Sequence, residues 1–264
     1  MPRPTPDEVA AFYQVDGYYT HVRPDEKRAP TIVDRIFTKL GYLADHGTEP
    51  TAPFWRSLVQ PGNRVLEIGC GDGRHLKILR DAEAECVGVE PDPDARAQCG
   101  DLDVHDGAAE EIPNTVSGPF DLVIFSHVLE HTLDHRKALS NALALMRPGA
   151  KIVVEVPNNE CRGVDFFGAA WRWLDIPRHV NFFTGDSLRD EIARAGFSVE
   201  EIQYRGYMRQ LMPEWFAAQA EICRLIGSRI GRRRWHYALY YLLTGAARPG
   251  RKYDSVRVIA AKPL

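Results

Sequence analysis

The residues from Val65 to Gly73 read Val-Leu-Glu-Ile-Gly-Cys-Gly-Asp-Gly. Glycines at alternate positions let a ligand approach the backbone where an apolar strand turns into a helix, and the unpaired N–H groups of that helix start attract an anion. Taken alone, the glycines also read as a tight turn with no ligand. The flanking residues narrow the choice. A dinucleotide site would place a glycine at position 74, which is Arg74, and Glu67 and Asp72 would repel a pyrophosphate. The same carboxylates suit a molecule that carries an ammonium and a cationic sulfur, and whose carboxylate the helix-start amides can receive. S-adenosylmethionine is such a molecule. Glu90 closes the next apolar run, where an acid accepts hydrogen bonds from both ribose hydroxyls in nucleotide-binding βαβ units; a solvated strand-end charge is the alternative.

Methyl transfer from a sulfonium is an in-line displacement, so the protein must first align nucleophile, methyl and sulfur. A hydroxyl acceptor also needs a base of near-neutral pKa, which points to histidine. His127 follows the fourth strand, at the carboxyl edge where open α/β sheets hold ligands. His131, four residues later on the start of a helix, would share a face with it, and also reads as a packed, hydrogen-bonded side chain. His179 lies in an aromatic-rich loop after the fifth strand, with Asp175 nearby to orient its ring. Tyr19 and His21, on an N-terminal arm, could close over the cofactor as a lid or pack as core.

These residues need a frame. Apolar runs at 64–68, 86–90, 102–105, 121–126 and 151–156 alternate with helical patterns at 73–83, 93–99 and 134–146, the rhythm of βα units around a parallel sheet. A helix near 186–195 and strands near 197–203 and 255–260 follow. Before the sheet, helical spacing runs from Thr31 to Leu43 and again around Phe54 to Leu58. About fifty residues separate the last two strands, far more than a hairpin needs, and read as an inserted helical cap. The expected organisation is an N-terminal arm and helices over 1–60, a cofactor-binding core over 61–204, the cap over 205–252 and the final strand within 253–264.

With 33 basic and 36 acidic residues, no global field draws the chain to nucleic acid. Five cysteines, odd in number and without metal-ligand spacing, suit a reducing, cytoplasmic setting. The N-terminus lacks an apolar signal region, and no apolar run is long enough to span a bilayer. In the cap, Trp215, Phe216, Ile222, Leu225, Ile226 and Ile230 recur at roughly helical spacing, and Arg232-Arg-Arg234 precedes a second apolar series from Trp235 to Leu243. That surface reads as packing on the domain or a homodimer contact. It also reads as an aromatic lid, or as a basic surface facing a membrane or a phosphorylated substrate.

The stretch from Gly62 to Pro157 resembles the core of class I S-adenosylmethionine-dependent methyltransferases, the Rossmann-like seven-stranded family. The resemblance rests on Val65 to Gly73, Gly88-Val-Glu-Pro-Asp92, Gly107-Ala-Ala-Glu-Glu-Ile-Pro113, Phe120 to His131 and Leu145-Met-Arg-Pro-Gly149. It implies a doubly wound α/β sheet and a cofactor site made of Glu67, Gly69, Cys70, Gly71, Asp72, Glu90, Pro91, Ala108, Ala109, Glu110, Ser126 and His127. Many relatives carry an Asp where this chain has Ala108, which leaves the adenine to backbone or Glu110. Arg178 to Leu188, and Gly17-Tyr-Tyr-Thr-His21, are similar to a subgroup related to ubiquinone-type and sugar-type enzymes. Ubiquinone-type relatives use acids and a histidine of the Glu-His segment for a metal. His127, Glu130, His131 and Asp134 cluster there, but His127 departs from the pattern and no metal is expected.

The resemblance implies methylation of an oxygen, less readily a nitrogen, of a small molecule such as a sugar, a phenolic quinone precursor or a secondary metabolite. A non-catalytic cofactor-binding module is the competing reading. Protein or nucleic-acid methylation is disfavoured, because no Asn/Asp-Pro-Pro-Tyr segment follows the fourth strand and no continuous basic groove is apparent.

Overall fold

The computed structural model describes residues 51–264 together with Thr5, Glu8 and Asp45. Tyr19, His21 and the helical pattern after Thr31 lie outside the described residues. The described chain opens with helix α1 (Thr51–Ser57) and continues as β1 (Arg64–Ile68), α2 (Arg74–Arg80), β2 (Glu85–Val89), α3 (Pro93–Ala97) and β3 (Asp103–His105). Then come β4 (Phe120–Ser126), α4 (His135–Leu145), β5 (Met146–Pro157), α5 (Arg162–Phe167), α6 (Gly185–Arg194) and β6 (Ser198–Arg205). Helices α7 (Pro213–Leu225), α8 (Arg234–Gly245) and the short α9 (Pro249–Lys252) lead into β7 (Ser255–Ala261).

The strands form one seven-stranded sheet in the order β3-β2-β1-β4-β5-β7-β6, with β7 antiparallel to both neighbours and the remaining pairs parallel. This is the doubly wound sheet expected from the βα rhythm. The period of two explains how both faces are filled. Val65, Leu122, Ile124 and Val153 point to the face that α1 and α2 cover with Phe54, Trp55 and Leu79. Leu66, Ile68, Val123, Phe125 and Val154 point to the other, against Leu139 and Ala142 of α4 and Leu188 and Ile192 of α6. Burying each such side chain contributes about 1.5–3 kcal/mol.

Local chemistry sets the ends of these elements. Asp92 caps α3 through its side chain on the Asp94 N–H, with Pro93 in the first turn. Asp134 caps α4 by accepting the Lys137 N–H at 2.9 Å, so the helix starts after it. His131 consequently sits in a turn and not on the helix, and the shared helical face with His127 is not formed. Thr184 and Ser187 make a reciprocal capping box on α6. The Lys262 ammonium donates to the Leu143 and Met146 carbonyls at the C-terminal end of α4, where a cation is favoured.

The segment between β6 and β7 carries α7, α8 and α9, and its core is shared with the loop after β5. Cys161, Phe167, Ala170 and Trp171 from that loop pack with Trp215, Cys223, Tyr237 and Tyr240 from the helices. Phe167 stacks on Trp171 with ring centroids 5.7 Å apart, and the buried Tyr240 hydroxyl donates to Gln210 at 2.6 Å. The cap is therefore one body with residues 161–174.

Glu191 of α6 gathers Arg136 and His135 of α4 with its own neighbour Arg194, at 2.8, 3.3 and 2.6 Å. The Arg136 guanidinium and the other partners hold its carboxyl down at about 2. Glu191→Gln is expected to lower the melting temperature at pH 7 by about 2–4 °C, the effect of a partly exposed cluster worth about 1 kcal/mol. A depressed carboxyl stabilises the fold above its unfolded pKa of about 4.5 and stops doing so as pH falls through 2. The gap between wild type and variant should therefore close over that window, and a gap independent of pH would contradict the assignment.

Candidate functional site

The sheet order reverses between β1 and β4, and open α/β sheets hold their ligands at such a point, outside the carboxyl ends of the strands. The glycine loop lies at that point. Gly69 has φ +70°, and its N–H donates to the Val89 carbonyl at 2.7 Å, which carries the chain from β1 across the end of β2. A side chain at Gly69 would strike Val128 at 2.4 Å, whereas one at Gly71, with φ +56°, would meet nothing within 4 Å. Gly69 thus serves packing, and Gly71 leaves the open side a ligand can approach. Cys70 is buried against Leu76 and Cys99 and offers the site its backbone only. Asp72 is exposed and accepts the Arg74 N–H at 3.2 Å, at the start of α2.

Glu90 follows β2 and is buried. One carboxylate oxygen accepts the Gly71 N–H at 2.8 Å and the other the Asp92 N–H at 2.9 Å. Burial pushes its carboxyl up, and these two amides oppose the shift. Each oxygen keeps a lone pair for a further donor, as a diol requires. Pro91 beside it is exposed. Glu67 shares the sheet face of Val65 and is buried. Its Oε1 meets the His75 ring nitrogen at 2.7 Å, and its Oε2 has no hydrogen-bond partner among the described residues.

Residues 107–113 turn back on themselves through the Ala108–Glu111 bridge. Ala108 is exposed there, whereas the Ala109 side chain belongs to the main core. Glu110 is engaged elsewhere: its Oε1 accepts the Leu133 and Asp134 N–H groups at 2.8 and 3.3 Å and ties the turn to the start of α4.

β4 delivers Ser126 and His127 to the same edge. His127 has φ +58°, an uncommon backbone state for a side-chain-bearing residue. Its Nδ1 lies 3.1 Å from Glu130 and its Nε2 3.6 Å from Glu155. Burial opposes charge on the ring, but these two carboxylates push its pKa up to about 9. His127 is therefore an imidazolium at neutral pH, an electrostatic and hydrogen-bonding group and not a free base. Burial also opposes charge on Glu155, yet His127 and the Arg257 guanidinium hold it well below the usual carboxylate range.

The loop after β5 supplies the opposite wall. Trp173 lies nearly parallel to the His127 ring, with centroids 6.2 Å apart, and its Nε1–H donates to Asp254 at 2.8 Å. Arg209 binds the same carboxylate and sits 4.6 Å over the Trp173 ring. His179 is buried. Its Nδ1 faces the Trp173 carbonyl at 2.9 Å, so that nitrogen carries the proton and Nε2 holds the lone pair. Burial lowers its pKa, which keeps the ring neutral. Asp175 binds Arg178 at 3.0 Å and lies 3.9 Å from His179, so its main partner is the arginine. His131 meets the His179 ring edge-on at 4.6 Å, and its Nδ1 faces the Arg178 carbonyl at 3.3 Å.

Ligand atoms of Glu130, His131 and His179 lie within 4.8 Å of one another, and Glu130 Oε2 is buried without a hydrogen-bond partner among the described residues. Two imidazoles and a carboxylate suit a divalent transition metal. The expectation of no metal thus meets a three-residue set able to hold one, completed by His179 from a loop distant in sequence. His75, Glu155, Arg257 and Trp173 were not among the expected site residues. Glu155 and Arg257 did carry a signal, since Glu155 breaks the apolar run from Ile152 to Val156 and Arg257 the run from Val256 to Ala260.

Residues 28–202 match the methyltransferase-domain family, and the chain belongs to it. It is similar to the ubiquinone biosynthesis O-methyltransferase of Azorhizobium caulinodans, 29% identical over 214 residues that cover 75% of this chain and 82% of the relative. The enzyme of the same name from Cereibacter sphaeroides is 27% identical over 209 residues, covering 72% and 82%. Among solved structures, a SAM-dependent methyltransferase from Archaeoglobus fulgidus superposes with a TM-score of 0.56 at 23% identity, over 80% of this chain and 90% of that one. The protein is a methyltransferase whose cofactor is S-adenosylmethionine.

The residues fit that cofactor: an open Gly71, a Glu90 carboxylate with two oxygens to share, and an orphaned buried oxygen on Glu67 suited to an ammonium or its water. Glu90→Gln removes the charge that would bind the ribose and should weaken S-adenosylmethionine binding about tenfold or more, as loss of hydrogen bonds to a charged group does. Calorimetric titration checks it. Equal affinity in both proteins would remove Glu90 from the cofactor site.

Proposed function

We propose that this enzyme methylates a hydroxyl of a small molecule, with a phenolic quinone precursor as the acceptor class. The observation that carries the reading is the convergence of Glu130, His131 and His179 beside His127 at the end of β4. A phenol or alcohol must lose a proton as its oxygen attacks the methyl group, and a neutral histidine with a free Nε2 lone pair suits that task. His179 is kept neutral by burial and oriented by the Trp173 carbonyl, so it is assigned as the base in preference to the charged His127. Two relatives of similar length named for O-methylation in ubiquinone biosynthesis support the acceptor class.

In this reading the glycine loop and Glu90 hold the cofactor, with Pro91, Ala108, Ala109 and Ser126 lining it through backbone or short side chains. Trp173 stacks beside the His127 imidazolium and offers a planar acceptor an apolar wall. A divalent ion held by Glu130, His131 and His179 would take the His179 Nε2 lone pair and would be the alternative to the base, lowering the pKa of a hydroxyl bound to it. The five cysteines, all free, fit work in a reducing compartment such as the cytoplasm.

The test is transfer of isotopically labelled methyl from S-adenosylmethionine to a panel of catechols, phenols and sugars. Labelling of a phenolic oxygen is the expected result. His179→Ala should lower turnover by about a hundredfold or more while leaving cofactor affinity within about twofold. Cofactor binding without transfer to any hydroxyl would overturn the reading in favour of a non-catalytic module.

A further inference from the structure

The α7–α8 hairpin is apolar on two sides. Tyr237, Tyr240 and Thr244 of α8 are buried with the rest of the cap. Trp235, Leu239 and Leu242, at the spacing of a second stripe, are 57, 41 and 77% exposed, and Leu243 beside them 45%. At the tip of the hairpin, Leu225 at the end of α7 is 71% exposed, Ile226 51% and Ile230 41%. These seven side chains include all but three of the exposed large hydrophobics among the described residues. Nothing in the fold needs them outside, since the inner stripe already seats the hairpin.

Charge decides what covers this face. Between Trp215 and Tyr253 the chain has eight arginines and lysines against one acid, Glu221, although the whole chain is at −3. Lys252 is buried, Arg251 pairs with Asp165 and Arg224 with Glu221, and Arg229, Arg232 and Arg233 are exposed at the tip. A second copy docking here would bring like charges together, whereas an anionic lipid surface pairs with the arginines while its acyl region takes the leucines and the indole. The helices have 13 and 12 residues, and no helix among the described residues is long and apolar enough to cross a membrane, so the hairpin would lie on the surface. We propose that the tip and outer stripe of the α7–α8 hairpin dock this enzyme onto an anionic membrane surface. The inference does not depend on the acceptor.

Flotation of the full chain with phosphatidylcholine vesicles, and with vesicles containing about 30% phosphatidylglycerol, tests it. At low salt the protein should float with the anionic vesicles at least about fivefold more than with the neutral ones, and release as salt screens the arginines. Arg232→Gln with Arg233→Gln, and separately Leu239→Gln with Leu242→Gln, should each reduce flotation about fivefold with melting temperature and S-adenosylmethionine affinity unchanged. As a readout needing no variant, acyl chains brominated near the headgroup should quench tryptophan emission of the wild-type protein, because Trp235 is the indole on this face. Absence of wild-type flotation, or flotation that both double variants retain, overturns the proposal. So does a dimer in sedimentation velocity that the leucine variant abolishes, which would assign the face to a second copy.

Discussion

A carboxylate within a buried strand has to be matched, and Glu155, near the end of β5, is matched from both sides. Arg257 of β7 binds it with Nε at 2.8 Å, and His127, just after β4, faces it at 3.6 Å and meets Glu130 beyond. This alternation of charges crosses three adjacent strands at their site-facing end. Removing one member of such a buried chain costs about 3–5 kcal/mol, because its partner is left uncompensated. The chain also explains the left-handed backbone of His127, which places the ring between two acids, and the position of Arg257 between Glu155 and the Phe54 ring, 3.9 Å away. Glu130 then joins the His127 imidazolium on one side to the His131–His179 pair on the other. The arrangement of the proposed acceptor side depends on this matching.

The cofactor side rests on a different constraint, the geometry of a chain leaving one strand and crossing the end of the next. Gly69 passes under Val128 with no room for a side chain, and Gly71 turns its N–H to Glu90. The two halves meet where β1 and β4 lie side by side. Cofactor binding is thus assigned to the ends of β1 and β2, and the proposed chemistry to the end of β4 and the loop after β5.

The sheet was legible in the sequence because the central strands carry short apolar runs flanked by Gly, Pro or Asp, and because the glycine loop has few alternatives. What failed to show depends on partners far along the chain. Glu67 reads as a cofactor-facing acid, but the register of α2 brings His75 onto one of its oxygens. His131 reads as helical until Asp134 is seen to cap α4. His127 has the composition of a base, and only Glu155 and Glu130, from β5 and the following turn, make it a cation. The cap reads as an insertion of its own, yet its aromatic core is half supplied by residues 161–171. Spacing reports on one element at a time, and these four outcomes are set between elements.

In the proposed arrangement a cofactor held on Gly71 and Glu90 presents its methyl group to a hydroxyl beside His179. A crystal structure with S-adenosylhomocysteine and a catechol tests it most directly. Both ribose hydroxyls should lie on the Glu90 carboxylate, and the acceptor oxygen within about 3 Å of His179 Nε2 or Glu130, in line with the sulfur. A ribose bound away from Glu90, or an acceptor oxygen on the far side of Trp173 from these groups, would contradict it.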